Sequence, residues 1–286
     1  MPRAADVTLA NPRAERVKQV RALSGRSARL RHGQFLVEGP QGVREAVRFA
    51  ADAVRDIYLT PAAATRYPEI AAEARAAGLY VHLGTPEVLD VMSLDAQGIL
   101  AVLNSASVGP VETIADAPRR LIAILSDVRD PGNAGAVIRA ADAAGADAVI
   151  LAGDSVDVHN PKVVRATAGS LFHLPVITGL TLPEAIDAAR DAGCAVLAAD
   201  GAGEHDLDDL LDAAGSWDGA AAFDGAPDLA EPTAWIFGNE ARGLSPTDRA
   251  LADAAIRIPI YGLAESLNLA TAAAVCLYAS SRAQRD

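Results

Sequence analysis

The chain of 286 residues contains two cysteines, Cys194 and Cys276, far apart in sequence. That scarcity excludes a disulfide framework and a cysteine-held zinc site, and it fits a reducing compartment. No metal is expected. Aromatic residues are only 4% of the chain while hydrophobic residues reach 51%, so the core must be built mostly from Ala, Val, Leu and Ile. No apolar run approaches the roughly 18 residues of a membrane helix. The opening stretch MPRAADVTLANPRAERVK lacks the apolar segment of a secretory signal. A soluble, cytoplasmic protein is expected, long enough for two domains.

Lysine is nearly missing, with Lys18 and Lys162 the two examples. Net charge is −12, which by itself argues against nucleic acid. The average hides an asymmetry. Residues 1–58 carry eleven Arg/Lys against six Asp/Glu, or +5, which leaves −17 for the rest. Arg13, Arg16, Lys18, Arg21, Arg26, Arg29 and Arg31 form a basic cluster interrupted only by Glu15. Such a cluster can neutralise phosphates; a solvated helix face is the alternative.

The first hundred residues read as an α/β module. Residues 11–32 suggest a basic helix or helix pair broken near Ser24-Gly25, followed by strands at 35–40, 55–60, 79–84 and 98–104. Helices over 41–50 and 68–78 separate them. The stretch 105–120 is rich in small residues, without apolar periodicity, and reads as a linker. The expected division is 1–105, a linker 106–120, and a second domain 121–286. That second domain opens on a fully apolar strand, 121–127, of the kind a parallel sheet buries on both faces. Strands at 147–153, 174–178, 194–200, 233–239 and 255–260 alternate with helices at 134–144, 161–169, 183–192, 245–252 and the C-terminus. The alternation predicts a parallel α/β sheet. Residues 204–231 are rich in Asp and Glu and without Lys or Arg, and much of that stretch, 213–231, has the composition of a flexible surface insertion.

Ligands of such sheets sit beyond the carboxyl ends of the strands, and three of those ends carry unusual polar residues. The first is Asp130-Pro131-Gly132-Asn133-Ala134-Gly135 with Arg139 on the helix that follows. Its glycines are wrongly spaced for a dinucleotide, which excludes a nicotinamide enzyme, and no Gly-Lys-Ser/Thr follows for a nucleotide triphosphate. A tight turn with Asn133 as cap explains it equally well. The second is Gly238-Asn239-Glu240, followed by Arg242-Gly243. The third is Ser266-Leu267-Asn268, wedged between an apolar strand and an Ala-rich helix, where Ser266 is a candidate cap.

Taken together, Asn-x5-Arg, Gly-Asn-Glu and Ser-Leu-Asn, each after an apolar strand, resemble the motifs of the SpoU-type RNA 2′-O-ribose methyltransferases of the SPOUT superfamily. The likeness spans 121–282, and Ile258 and Leu267 stand nine apart as in the family pattern. The piece GQFLVEGPQGVREAV is similar to the family's N-terminal RNA substrate-binding module, and NPKVVRATAGSLFHLPV to its RNA-facing segment.

The resemblance implies a parallel-sheet domain whose C-terminus is threaded into a deep trefoil knot, where connection rules alone predict an open sheet. It implies S-adenosylmethionine bound in the knot by backbone at Gly238, Ile258 and Leu267. Ala199, Asp200, Gly201, Phe237, Pro259 and Ile260 would line the pocket. Its catalytic set falls on Asn133, Arg139, Glu240, Ser266 and Asn268. Arg139 is then either the base or, since guanidinium stays protonated to about pH 12, the group that binds a phosphate and steadies the developing alkoxide. Lys162 and Arg165 become RNA contacts. The family's homodimer is compatible with the face Leu269, Ala273, Cys276 and Leu277 of the last helix, although intramolecular core would look the same. Structured RNA, ribosomal more than transfer, is the expected substrate. A catalytically silent RNA-binding or ribosome-assembly factor is the alternative.

Overall fold

The computed structural model describes residues 9–105, 121–214 and 225–285. The expected linker, 106–120, lies outside these, as do 215–224 of the acidic stretch. The chain forms two compact units, Met1–Ser107 with Asp157–His173 and Val108–Val156 with Leu174–Asp286.

The first unit is built on strands β1 (Gln34–Glu38), β2 (Val54–Leu59), β3 (Tyr80–Leu83) and β4 (Ile99–Asn104), in the order β1-β4-β2-β3. β4 runs antiparallel to both β1 and β2, and β3 is parallel to β2. Alternation along each strand feeds two cores, because successive side chains point to opposite faces. Phe35, Val37, Ile57, Leu59, Ile99, Ala101 and Leu103 enter one cluster. Leu36, Tyr58, Leu100 and Val102 enter the other, against Val17, Val20 and Leu23 of the basic N-terminal region. That region is two helices, Glu15–Ala22 and Arg26–His32, parted at Ser24-Gly25 as expected.

Two short helices that the sequence reading passed over, Pro61–Arg66 and Pro86–Met92, each start on Thr-Pro. Thr60 and Thr85 accept from the backbone N–H three residues on, and a proline in the first turn loses no hydrogen bond. That dipeptide was the legible signal.

Residues 157–173 depart from the expected boundary, since they pack with the first unit. The reason is a buried ion pair and an apolar anchor. Arg29, 5% exposed, donates to Asp157 Oδ2 at 2.7 Å and to the carbonyls of Leu23 and Ser24. Val164, Leu171 and Phe172 join the first cluster.

The second unit is a seven-stranded parallel sheet: β5 (Leu121–Ser126), β6 (Ala148–Ala152), β7 (Val176–Thr178), β8 (Ala195–Ala199), β9 (His205–Asp206), β10 (Thr233–Phe237) and β11 (Ala254–Arg257). Their order is β7-β6-β5-β10-β8-β11-β9. β5, β6 and β10 are buried throughout, as their unbroken apolar runs predict. On one face Trp235 meets the C-terminal helix Leu269–Ala283, its indole N–H donating to Ser280 Oγ at 2.9 Å. Ala273, Cys276 and Leu277 of that helix are fully buried, so this face is intramolecular core. β11 stops at Arg257, short of the expected Ile260. Pro259 has no N–H for a ladder, and the chain leaves the sheet there. The acidic stretch opens with β9 and a helix, Leu207–Ala214, which end where the insertion-like composition begins. No helix among the described residues is long and apolar enough to cross a membrane.

Both cysteines are buried, and burial pushes the Cys194 thiol up to about 11 and Cys276 higher still. The thiolate is the reactive form. Neither should therefore be alkylated by iodoacetamide in the native state at pH 8, while both react in 6 M guanidinium, as read by intact mass.

Candidate active site

The carboxyl ends of adjacent strands in the second unit stand in register. Phe237 of β10 pairs with Leu125 of β5 on one side and with Ala199 of β8 on the other, and Ala199 pairs with Ile256 of β11. The polar motifs that follow these strands are therefore delivered to one rim.

The loop after β5 is shaped by two aspartates. Asp127 has a positive φ of 53° and accepts from the Asp154 N–H at 2.7 Å. Asp130, not Asn133, caps the helix Pro131–Ala144, accepting from the Asn133 N–H at 2.7 Å. This frees the Asn133 side chain to reach across the rim. Its amide donates to Glu240 Oε1 at 3.4 Å, and its carbonyl oxygen accepts from Asn268 Nδ2 at 3.0 Å.

Glu240 gathers more than Asn133. Its carboxylate also accepts from the backbone N–H of Asp130 at 3.0 Å and of Arg129 at 3.4 Å. Three donors thus converge on one carboxylate. Asn268 completes the chain by capping the last helix, accepting from Ala270 N at 2.9 Å and Thr271 N at 3.4 Å. The two asparagine amides orient each other, so donor and acceptor ends follow from the network.

Asn239, a neighbour that the sequence reading did not single out, pins the second loop. It donates to the Asp127 carbonyl at 2.8 Å and accepts from the Ala241 N–H at 3.1 Å. The preceding Gly238 is obligatory for packing: a Cβ there would lie 2.5 Å from the carbonyl carbon of Gly243. Asp130 and Asn239 bond backbone two or three residues on, an Asx-type signal available in the sequence, whereas the partner of Asp127 lies 27 residues away and left none.

The remaining expected residues divide. Arg139 is exposed and makes no hydrogen bond or ion pair among the described residues. Ser266 is exposed and does not cap the helix; Asn268 does. Phe237 is 1% exposed, so only its backbone can face a ligand. Ala199 and Asp200 are half-buried at the end of β8, with the Asp200 N–H donating to the Ile256 carbonyl at 3.0 Å, and Gly201 is exposed beside them. Ile258 and Pro259 are half-buried, and Ile260 and Leu267 lie open at 39% and 37%. Tyr261 donates to Asp208 Oδ2 at 2.7 Å, a bond that raises its hydroxyl pKa. The stretch from Ile258 to Asn268 is thus backbone and apolar side chain held at both ends.

In the first unit, Arg13, Arg16, Lys18, Arg21, Arg26 and Arg31 are exposed. Arg16 lies 4.0 Å from Asp56, and Lys18 lies 3.8 Å from Glu15. Arg29 is a correction, because its guanidinium is consumed in the buried bonds to Asp157, Leu23 and Ser24. Lys162 is exposed, whereas Arg165 is held by the carboxylates of Glu38 and Asp95.

Comparison with known proteins gives concordant results. The model of the SpoU rRNA Methylase family matches residues 120–278, and that of the MRM3-like substrate binding domain matches 14–100. The chain is 33% identical to a 23S rRNA (uridine(2479)-2′-O)-methyltransferase of Streptomyces viridochromogenes, over 94% of this chain and 90% of that protein. It is 31% identical to the 23S rRNA (guanosine(2553)-2′-O)-methyltransferase RlmP of Bacillus subtilis, over 92% and 95%. Among solved structures, the AdoMet-bound rRNA methyltransferase from Sinorhizobium meliloti superimposes with a TM-score of 0.77 at 28% identity, covering 96% of this chain and 97% of that one. The SpoU methyltransferase AviRb from Streptomyces viridochromogenes gives 0.77 at 30%, covering 95% and 98%.

The caps are directly testable. Asn268→Ala removes the cap of the last helix and should cost about 1 kcal/mol in urea unfolding. Ser266→Ala, which breaks no bond, should stay within about 0.5 kcal/mol of the parent.

Proposed function

The chain belongs to the SpoU rRNA methylase family, and from that premise we propose that it transfers the methyl group of S-adenosylmethionine to a ribose 2′-hydroxyl of ribosomal RNA. The observation that carries this reading is the hydrogen-bonded chain Glu240–Asn133–Asn268, which ties all three motifs at one rim of the parallel sheet.

The residues present suit the cofactor. Gly238, Ile258 and Leu267 offer backbone, and Ile258, Pro259 and Ile260 offer apolar surface, with the Asp200 carboxylate beside them at the end of β8. When bound, the cofactor supplies an electrophilic methyl on a sulfonium, which needs neither a metal nor a redox partner. What the protein must supply is alignment and charge. An in-line displacement gains most from holding the attacking oxygen close to the methyl in a single orientation. Glu240 fixes Asn133, Asn133 fixes Asn268, and Asn268 fixes the start of the last helix, so the loop carrying Leu267 is set relative to the helix carrying Arg139. Arg139, without a hydrogen-bond or ion-pair partner among the described residues, takes the phosphate beside the target ribose and steadies the oxyanion that forms as the 2′-proton departs. A guanidinium stays charged at neutral pH, which favours this electrostatic role over that of a base. Ser266, exposed two residues before Asn268, contacts the ribose.

The trefoil knot belongs to the same proposal. It is supported by the strand order, in which β10 lies between β5 and β8, and β11 between β8 and β9. Close backbone packing supports it too: a Cβ at Gly203 would lie 2.7 Å from the Ala255 carbonyl oxygen. The protein acts as a homodimer through the outer side of the last helix, where Val275 and Tyr278 stand 39% and 49% exposed. The N-terminal unit, through Arg13, Arg16, Lys18, Arg21, Arg26, Arg31 and Lys162, holds RNA phosphates. Work on ribosomal RNA places the protein in the cytoplasm.

Arg139→Lys keeps the charge and loses the fork. Methyl transfer to ribosomal RNA should fall about 100-fold or more, with S-adenosylmethionine binding by calorimetry unchanged; near-parental turnover sinks the assignment. Val275→Arg should convert the dimer to monomer in sedimentation velocity, and an unchanged sedimentation coefficient rejects that interface.

A further inference from the structure

The first unit holds a cleft of ≈ 510 Å³ for which the methyl-transfer reading uses only two rim cations, Arg21 and Lys162. That size lies within the roughly 300–1,000 Å³ typical of small-molecule sites. One wall is the end of the helix Pro86–Met92 with Ser93, Leu94 and Asp95; the facing wall is Asn160–Arg165. Glu38 lies between them, at the end of β1, its side chain 4% exposed.

A carboxylate so buried is costly unless it is paired and bonded. Here it accepts from the Ser93 hydroxyl and from the Arg165 guanidinium, and Arg165 also pairs with Asp95 Oδ2 at 3.0 Å. Both walls are thereby joined through one arginine, so the cleft is held in shape without a ligand. Its open side differs in character. Asp95, with 59% of its side chain exposed, presents Oδ1, which has no partner among the described residues. Leu94 stands 88% exposed at the mouth. Arg21 and Lys162, both exposed and without an ion-pair partner among the described residues, also line the cleft.

An apolar platform, a carboxylate acceptor and two free cations match the three parts of one nucleotide. We propose that this cleft receives a single unstacked nucleotide of the RNA, with an amino-bearing base, guanine above all. The base lies on Leu94. Asp95 accepts from its Watson–Crick edge, where guanine alone offers one carboxylate two adjacent N–H donors. Arg21 and Lys162 take the flanking phosphates, which bind without regard to sequence. Arg165 is then a positioning residue, set by Glu38, that aims Asp95. This inference rests on the reading of the chain as an RNA methyltransferase, and it adds a site where that enzyme tests the sequence of its substrate.

The test uses the full chain and two fluorescein-labelled pentaribonucleotides, UUGUU and UUUUU, titrated by anisotropy. The guanosine oligomer should bind about fivefold tighter or more, the discrimination of one good base-edge pair. Asp95→Asn replaces an acceptor with a donor and should erase that ratio. Lys162→Gln should weaken both oligomers alike, and Leu94→Ala, at a fully exposed position that folding does not need, should also weaken both. Equal affinity of the parent for the two oligomers, or a ratio that survives Asp95→Asn in a variant with unchanged thermal melting, overturns the proposal. The same preparation is assayed for S-adenosylmethionine binding and for methyl transfer to ribosomal RNA. If those persist while the guanosine preference is absent, the cleft proposal alone falls. If those are absent, the methyltransferase reading falls, and a guanosine preference lost on Asp95→Asn still supports the cleft.

Discussion

The Glu240 carboxylate accepts from two backbone N–H groups of the loop after β5 and from the Asn133 amide, and Asn133 in turn accepts from Asn268. Three loops spread over more than a hundred residues of chain meet through these bonds. None of the side chains is deeply buried, so the bonds contribute modestly to stability. Their importance is geometric. Each loop leaves a different strand, and without a shared partner each would choose its own conformation. The active-site reading depends on the three being held as one.

That convergence is possible because the sheet beneath is rigid and in register. Leu125, Phe237, Ala199 and Ile256 end neighbouring parallel strands at one level. Parallel strands of this kind are buried on both faces and packed densely. Loops mounted on them inherit fixed origins, and short side chains such as Asn and Glu then suffice to span the distances. Cys194 and Cys276 are part of that packing, which is why burial raises their thiols rather than activating them.

The first unit solves a different problem. It carries a basic cluster on a chain whose net charge is −12. It keeps six of the seven clustered basic residues at the surface and turns the seventh, Arg29, inward to hold Asp157. A cluster of positive residues in sequence therefore does not translate residue by residue into a binding surface. Composition shows that charge is concentrated there. It does not show that one guanidinium is spent on anchoring the segment 157–173, because the partner lies 128 residues away.

Apolar runs, alternation and the order of three motifs were legible in the chain because they depend on local rules: side-chain period, helix propensity and the residue types that turns need. They set the α/β class, most strand positions, the family, and the three motifs whose Asn133, Glu240 and Asn268 the fold joins. Thr-Pro helix starts were equally legible and were passed over. Tertiary structure decided what long-range partners decide. Asp130 rather than Asn133 became the cap, and Asn268 rather than Ser266, since a side chain free to bond either locally or across the rim goes where the partner is. β10 came to lie between β5 and β8, and residues 157–173 joined the first unit. No local pattern encodes these choices, because each is settled by contacts between residues that only the folded chain brings together.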